Sequence, residues 1–116
     1  MLRQILALRN SLAGLRYGLL KEAALREEMI LLALSVPVAP MLTRDPWTLV
    51  ALWGSLLFLL AVEFLNTAIE TLADRVTREI DPLIKTAKDC GSAAVLMAIL
   101  LATMVWGVAL WEWLFA

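Results

Sequence analysis

Three carboxylates and one amide recur at helical spacing along a single segment of the chain. Glu63, Asn66, Glu70 and Asp74 are separated by three or four residues. At about 100° per residue they fall on one stripe of an α-helix. The segment is apolar from Pro46 onwards. Because about 20 apolar residues are needed to cross a bilayer, the stripe begins near the far boundary of the hydrocarbon layer. Carboxylates at that depth are costly and usually functional, which makes the stripe the first candidate for a reactive site.

Two more polar segments are expected at the same depth. Glu22 to Glu28 leads into one apolar stretch, and Lys88 and Asp89 precede the small residues 91–94 at the start of another. Small residues allow close helix approach. Carboxylates of this kind hold Mg²⁺ with few protein ligands and leave its other positions to water and phosphate oxygens. The residues alone favour metal-assisted phosphoryl chemistry at a membrane face, and a buried ion pair that joins helices is the structural alternative for the stripe.

Composition excludes several other kinds of protein. The 116 residues are 62% hydrophobic and 18% charged, whereas soluble domains are about 45–50% apolar and about 25% charged. The chain has no histidine, which excludes a Ser-His-Asp triad and His-ligated zinc. Its single cysteine, Cys90, excludes an intramolecular disulfide. No P-loop or protein-kinase motif set occurs, so we expect one integral membrane domain, residues 1–116, whose phosphate site is built from helix surfaces.

The positioning elements are an N-terminal surface helix and three transmembrane helices. Residues 1–22 alternate charged and apolar side chains, which predicts an amphipathic helix in the membrane interface. We expect span 1 at 23–43, span 2 with its cytoplasmic extension at 46–74, and span 3 at 88–113. The uncharged part of span 1 has only 15 residues and contains Pro37 and Pro40, so taken alone it also fits a re-entrant or interfacial segment; the charge asymmetry described below favours a span. We expect these prolines to break it near its outer end.

Charge asymmetry sets the orientation. Five of the ten Lys and Arg residues precede Met29, four lie between the second and third spans, and only Arg44 falls in the first connection. The positive-inside rule then places the N-terminus and the second loop in the cytoplasm and the C-terminus outside, which requires three crossings. Trp47, Trp111 and Trp113 fall together at the outer interface, where tryptophan is enriched.

Three separated motifs resemble the prokaryotic integral-membrane diacylglycerol kinases. They are Glu63-x-x-Asn-Thr-Ala-Ile-Glu70, Ala87-Lys-Asp-x-Gly-Ser-Ala-Ala-Val95 and, upstream, Glu22-Ala-Ala-x-Arg-x-Glu28. The resemblance implies a homotrimer in the bacterial inner membrane, with active sites shared between subunits. It also implies transfer of the γ-phosphoryl group of ATP, with Mg²⁺, to the hydroxyl of diacylglycerol.

The resemblance further implies residue roles. Glu63 resembles the catalytic base, and Glu22 and Glu70 resemble the Mg²⁺ ligands. The positions that match the nucleotide side are Arg3, Asn10, Glu79, Asp81, Lys88 and Asp89. The positions that match the lipid side are Arg16, Arg26, Glu28, Asn66 and Ser92.

Some alternatives remain open at this stage. Asn10 and Asp81 stand where the family pattern has a tyrosine and a histidine, which puts the adenine and ribose contacts in doubt. A related branch phosphorylates undecaprenol, although Gly91-Ser92-Ala93 favours diacylglycerol. An ion- or proton-conducting protein would use Glu63 as a relay, yet only Thr48 and Ser55 are polar between Trp47 and Val62. A non-enzymatic assembly subunit, in which the stripe fixes helix register, is the third possibility.

Overall fold

The computed structural model describes residues 1–115 as four α-helices. In chain order they are α1 (Leu2–Lys21), α2 (Ala23–Leu42), α3 (Pro46–Val76) and α4 (Pro82–Phe115). No strand occurs within these residues. The prediction of an all-helical protein is therefore confirmed.

Short connections with local hydrogen bonds separate the helices. Only Glu22, in an extended conformation, lies between α1 and α2, and its N–H still donates to the Gly18 carbonyl at 3.2 Å. Asp45 caps α3 by accepting from the Thr48 backbone N–H at 2.9 Å. The Asp81 carboxylate caps α4 by accepting from the N–H groups of the residues two and three positions later. Each cap satisfies donors that a helix start leaves free.

The expected break at the prolines is wrong, because α2 runs through Pro37 and Pro40 to Leu42. Each proline removes one backbone donor, but neighbouring helices can supply bonds to the carbonyls of the same region. The Trp53 indole N–H of α3 donates to the Ser35 carbonyl of α2 at 3.0 Å, two residues before Pro37. This bond ties α2 to α3 beside the prolines.

Helix α3 lies at the centre of the packing and contacts both α2 and α4. Ala39, Leu52 and Ala109 form a buried cluster at one end of the molecule, one residue from each of the three helices. There the Trp106 indole N–H of α4 donates to the Leu52 carbonyl of α3 at 3.1 Å. Two indole bonds to backbone carbonyls thus hold α2, α3 and α4 together in a region with few other polar groups.

Among residues 1–115, α3 and α4 are the two helices long and apolar enough to cross a membrane. A third crossing by α2 remains a prediction. The apolar side of α1 is uncovered, since Ile5, Leu8 and Leu12 are about half exposed and only Gly18 of this helix is buried. These side chains need a membrane or another chain to remove them from water.

Candidate active site

A cavity of about 500 Å³ lies between the α1–α2 bend and the C-terminal turns of α3. Its lining carries three carboxylates, two guanidinium groups and three hydroxyl groups. The lining residues are Tyr17, Glu22, Thr67, Glu70, Thr71, Asp74, Arg75 and Arg78. Carboxylates suit a divalent cation, and arginines suit phosphate oxygens. The arrangement can therefore hold a metal–polyphosphate group.

The bend between α1 and α2 presents Glu22 to this cavity. Its backbone is extended and immediately precedes the first residue of α2, so its carboxylate lies at a helix N-terminus, where negative charge is favoured. The Tyr17 hydroxyl donates to Glu22 Oε1 at 3.3 Å. The negative charge of Glu22 raises the pKa of Tyr17, which keeps the phenol protonated as a donor.

The polar stripe on α3 divides into two parts. Glu70 and Asp74 both line the cavity. Asn66 lies about 60° around the helix from Glu63 and turns towards α4, where it is 8% exposed. Its Oδ1 lies against Gly91, where a Cβ atom would collide with it. Within residues 1–115 this oxygen is buried without a hydrogen-bond partner, so the close approach predicted for the small residues of α4 is present at Gly91.

Lys88 lies at the edge of the cavity because it forms an ion pair with Asp74, one of the lining residues. Its Nζ lies 2.7 Å from Asp74 Oδ1, which joins α4 to α3. Both side chains are partly exposed, so the pair adds little to stability, and its main effect is to place an ammonium group beside the carboxylates. Asp89 instead pairs with Lys85 one turn away at 2.7 Å.

Glu63 and Glu28 lie deeper along the helices than the cavity lining. Glu63 is half-buried and lies two turns before Glu70 on α3. Glu28 on α2 has a buried Oε2 without a hydrogen-bond partner among the described residues. Both carboxylates are therefore partly removed from solvent, beyond the cavity lining.

The remaining predicted site residues do not line the cavity. Asp81 is occupied in capping α4, and Glu79 lies in the α3–α4 connection. Arg26 Nη1 donates to the Leu19 carbonyl of α1 at 3.4 Å. The other positions are exposed on α1 and α4; they are Arg3, Asn10, Arg16 and Ser92.

Sequence reasoning missed several residues of the cavity lining. Thr67 follows from helical periodicity, because it lies three residues before Glu70 on the same face. Thr71 and Arg75 lie about 100° and about 140° around the helix from Glu70, so the spacing of the stripe did not indicate them. Arg78 lies just beyond α3. Tyr17 carries no sequence signal except its place on the polar side of α1, five residues before Glu22.

The residues present fit a Mg²⁺ ion that is shared with a nucleotide. No group of three or more Cys, Asp or Glu side chains within residues 1–115 could hold a metal by itself. Glu22 and Glu70 line one cavity, and Mg²⁺ is commonly held by one or two carboxylates plus substrate phosphates. A Mg²⁺ ion held by these two carboxylates and by substrate phosphates would need no third acidic side chain, which agrees with both observations.

Comparison with known proteins gives one consistent result. The family model for prokaryotic diacylglycerol kinase matches residues 9–110. The chain is 43% identical over 110 residues to the diacylglycerol kinase of Escherichia coli K12, covering 95% of this chain and 90% of that protein. It is 40% identical over 100 residues to the diacylglycerol kinase of Pseudomonas aeruginosa, covering 86% and 81% of the two chains. The similarity recognised from three motifs thus extends over nearly the whole chain, which belongs to the prokaryotic diacylglycerol kinase family.

Proposed function

We propose that this chain is a lipid kinase that transfers the γ-phosphoryl group of ATP to the hydroxyl of diacylglycerol and forms phosphatidic acid. The observation that carries the proposal is a cavity lined by Glu22, Glu70 and Arg75 in a chain of this family. Such a cavity can neutralise a polyphosphate at the end of an apolar helix. With the topology proposed below, its location would bring water-soluble ATP and a membrane lipid within reach of each other.

Glu22 and Glu70 would hold Mg²⁺ between them. The ion would supply charge neutralisation of the phosphate oxygens, which is a main requirement of phosphoryl transfer. Arg75, Arg78 and Lys88 provide further positive charge at or beside the cavity. Together these side chains orient the terminal phosphate, and positioning of this kind accounts for much of catalysis in such reactions.

Glu63 would act as general base. It lies two turns before Glu70, about 10 Å along the helix axis, on the side that leads into the apolar stretch. The hydroxyl oxygen of diacylglycerol forms a bond to the γ-phosphorus while the bond from phosphorus to the bridging oxygen breaks. The hydroxyl proton passes to the Glu63 carboxylate, and ADP leaves with the bridging oxygen.

The lipid would approach from the apolar side of Glu63. Glu28 on α2 and Asn66 on α3 each have a buried oxygen that is without a partner among the described residues and can accept a hydrogen bond. A glycerol hydroxyl is a suitable donor for such an oxygen. Arg16, Arg26 and Ser92 are proposed on the outer part of the lipid path.

For the topology we propose three crossings, by α2, α3 and α4, with the N-terminus in the cytoplasm of a bacterium and the C-terminus outside. The distribution of Lys and Arg supports this orientation. Helix α1 would lie in the cytoplasmic interface of the inner membrane with Ile5, Leu8 and Leu12 towards lipid, which accounts for their exposure in the isolated chain.

We also propose a homotrimer whose sites are shared between subunits. The proposal is supported by the incomplete site of a single chain, because five positions predicted on the nucleotide side do not line the cavity. These positions are Arg3, Asn10, Glu79, Asp81 and Asp89. A neighbouring subunit can bring such residues to the same nucleotide.

The direct test is a phosphorylation assay of the purified protein in mixed micelles with Mg-ATP. Diacylglycerol and undecaprenol are offered separately, and the Glu63→Gln variant serves as the inactive control. Formation of phosphatidic acid by the native protein alone supports the proposal. Phosphorylation of undecaprenol alone would assign the chain to the other branch, and no product from either lipid would refute a kinase function.

A further inference from the structure

The single tyrosine of the chain stands at the wall of the cavity. Tyr17 lies on α1, just over one turn before Glu22, and lines the same cavity as Glu70 and Asp74. Its hydroxyl donates to Glu22 Oε1 at 3.3 Å. The residue therefore touches a carboxylate that the proposed function assigns to the metal.

The end of α1 that carries Tyr17 is fixed by close packing. Gly18 is the one buried residue of α1. A Cβ atom at this position would lie 2.9 Å from the Phe64 ring of α3 and 3.1 Å from Leu25 of α2, so the helix backbone approaches both neighbours closely. The Gly18 carbonyl also accepts the Glu22 N–H. Tyr17 is thus presented to Glu22 from a well-supported backbone.

A carboxylate on a bend can rotate freely unless a neighbour restrains it. The phenol hydroxyl donates to Oε1, so Oε2 would be the oxygen available to a cation in the cavity. Hydrogen-bond partners of this kind orient metal ligands, and their removal typically weakens metal binding by about 10–100-fold.

We propose that Tyr17 is a positioning residue that holds the Glu22 carboxylate in the orientation required to bind a divalent cation. The inference rests on the proposed function, because that function makes Glu22 a metal ligand. It adds a residue outside the three motifs that carry the family resemblance.

The test measures metal binding without turnover. Mn²⁺ replaces Mg²⁺, a non-hydrolysable ATP analogue replaces ATP, and free Mn²⁺ is followed by electron paramagnetic resonance. Tyr17→Phe removes only the hydroxyl and keeps the ring. Ser11→Ala is the matched control, because it removes an exposed hydroxyl of α1 that bonds only to the Ala7 carbonyl. All variants are compared at equal helicity and equal oligomeric state.

We expect Tyr17→Phe to weaken Mn²⁺ binding by about 10-fold, the lower end of the usual range because the tyrosine is partly exposed, and Ser11→Ala to leave it unchanged. In kinetics the half-saturating Mg²⁺ concentration should rise, whereas kcat at saturating Mg²⁺ should change less than twofold. In the Glu22→Gln background, Tyr17→Phe should cause no further loss, because the two residues act through one contact.

Three results would overturn the inference or its basis. Mn²⁺ binding by Tyr17→Phe within twofold of the native protein would refute the positioning role. Losses that add in full in the double variant would show that Tyr17 acts independently of Glu22, which also refutes it. A native protein that binds no Mn²⁺ with the nucleotide analogue would refute the metal site of the proposed function itself and with it the inference.

Discussion

Gly91→Ala tests the packing that holds α4 against the polar stripe of α3. The added methyl group would collide with Asn66 Oδ1, which is buried between the two helices. Either the amide leaves its position or α3 and α4 separate. Overpacking of this kind lowers the free energy of unfolding by about 1–3 kcal/mol. At this position it also displaces Asn66, which lies one turn from Glu63.

Gly107→Ala on the same helix is the matched control. Nothing lies within 4 Å of a Cβ atom at Gly107, and glycine in a helix interior is less favourable than alanine by about 0.5–1 kcal/mol. The control should therefore be stabilised. Because both glycines lie in the interior of α4, the helix gain is common to both variants, and their free energies of unfolding should differ by the overpacking cost alone, about 1–3 kcal/mol.

The assay is unfolding of the purified protein by sodium dodecyl sulfate in mixed micelles, followed by circular dichroism. The double variant Gly91→Ala/Asn66→Ala should recover stability, because the colliding amide is gone, but should remain impaired in turnover. If Gly91→Ala is as stable as Gly107→Ala, Asn66 does not occupy the space against Gly91 and the account of helix packing is wrong.

Two further predictions concern the metal and the assembly. Glu70→Gln and Glu22→Gln should raise the half-saturating Mg²⁺ concentration more than they weaken lipid binding, since an amide keeps the shape but lacks the charge that the cation needs; unchanged half-saturation in both variants would remove these residues from the metal site. A mixture of two inactive variants, one changed at Glu22 and one at Glu70, should regain activity in verified hetero-oligomers if sites are shared between subunits, and continued inactivity would indicate sites built within single chains.

Periodicity and hydropathy were sufficient to predict the helices, but they did not predict that α2 continues through its two prolines. The predicted boundaries at 23–43 and 46–74 lie close to those of α2 and α3, because Asp45 and Pro46 form a strong local start signal. The continuity of α2 through Pro37 and Pro40 was not predictable. The Trp53 indole of another helix bonds to α2 two residues before Pro37, and such long-range hydrogen bonds leave no local pattern in the sequence.

The sequence predicted which site residues share one face of a helix, but it did not predict the contacts between helices. The spacing of Glu70 and Asp74 placed both on one stripe, and both line the cavity. The same spacing did not show that Asn66 turns to α4 or that Lys88 pairs with Asp74, because these depend on the rotation of α3 relative to α4. Tyr17 lies on the polar side of α1, but its contact with Glu22 depends on the angle of the bend.

The most direct test of the account is the turnover of Glu63→Gln with diacylglycerol and Mg-ATP. General-base assistance is typically worth about 10²–10⁴ in rate, so kcat should fall at least about 10²-fold. KM for Mg-ATP should stay within a few-fold, because the proposed phosphate site lies two turns away at Glu70. The variant must retain the native oligomeric state for the comparison. Turnover near the native rate would contradict the account and would make Glu63 a structural carboxylate.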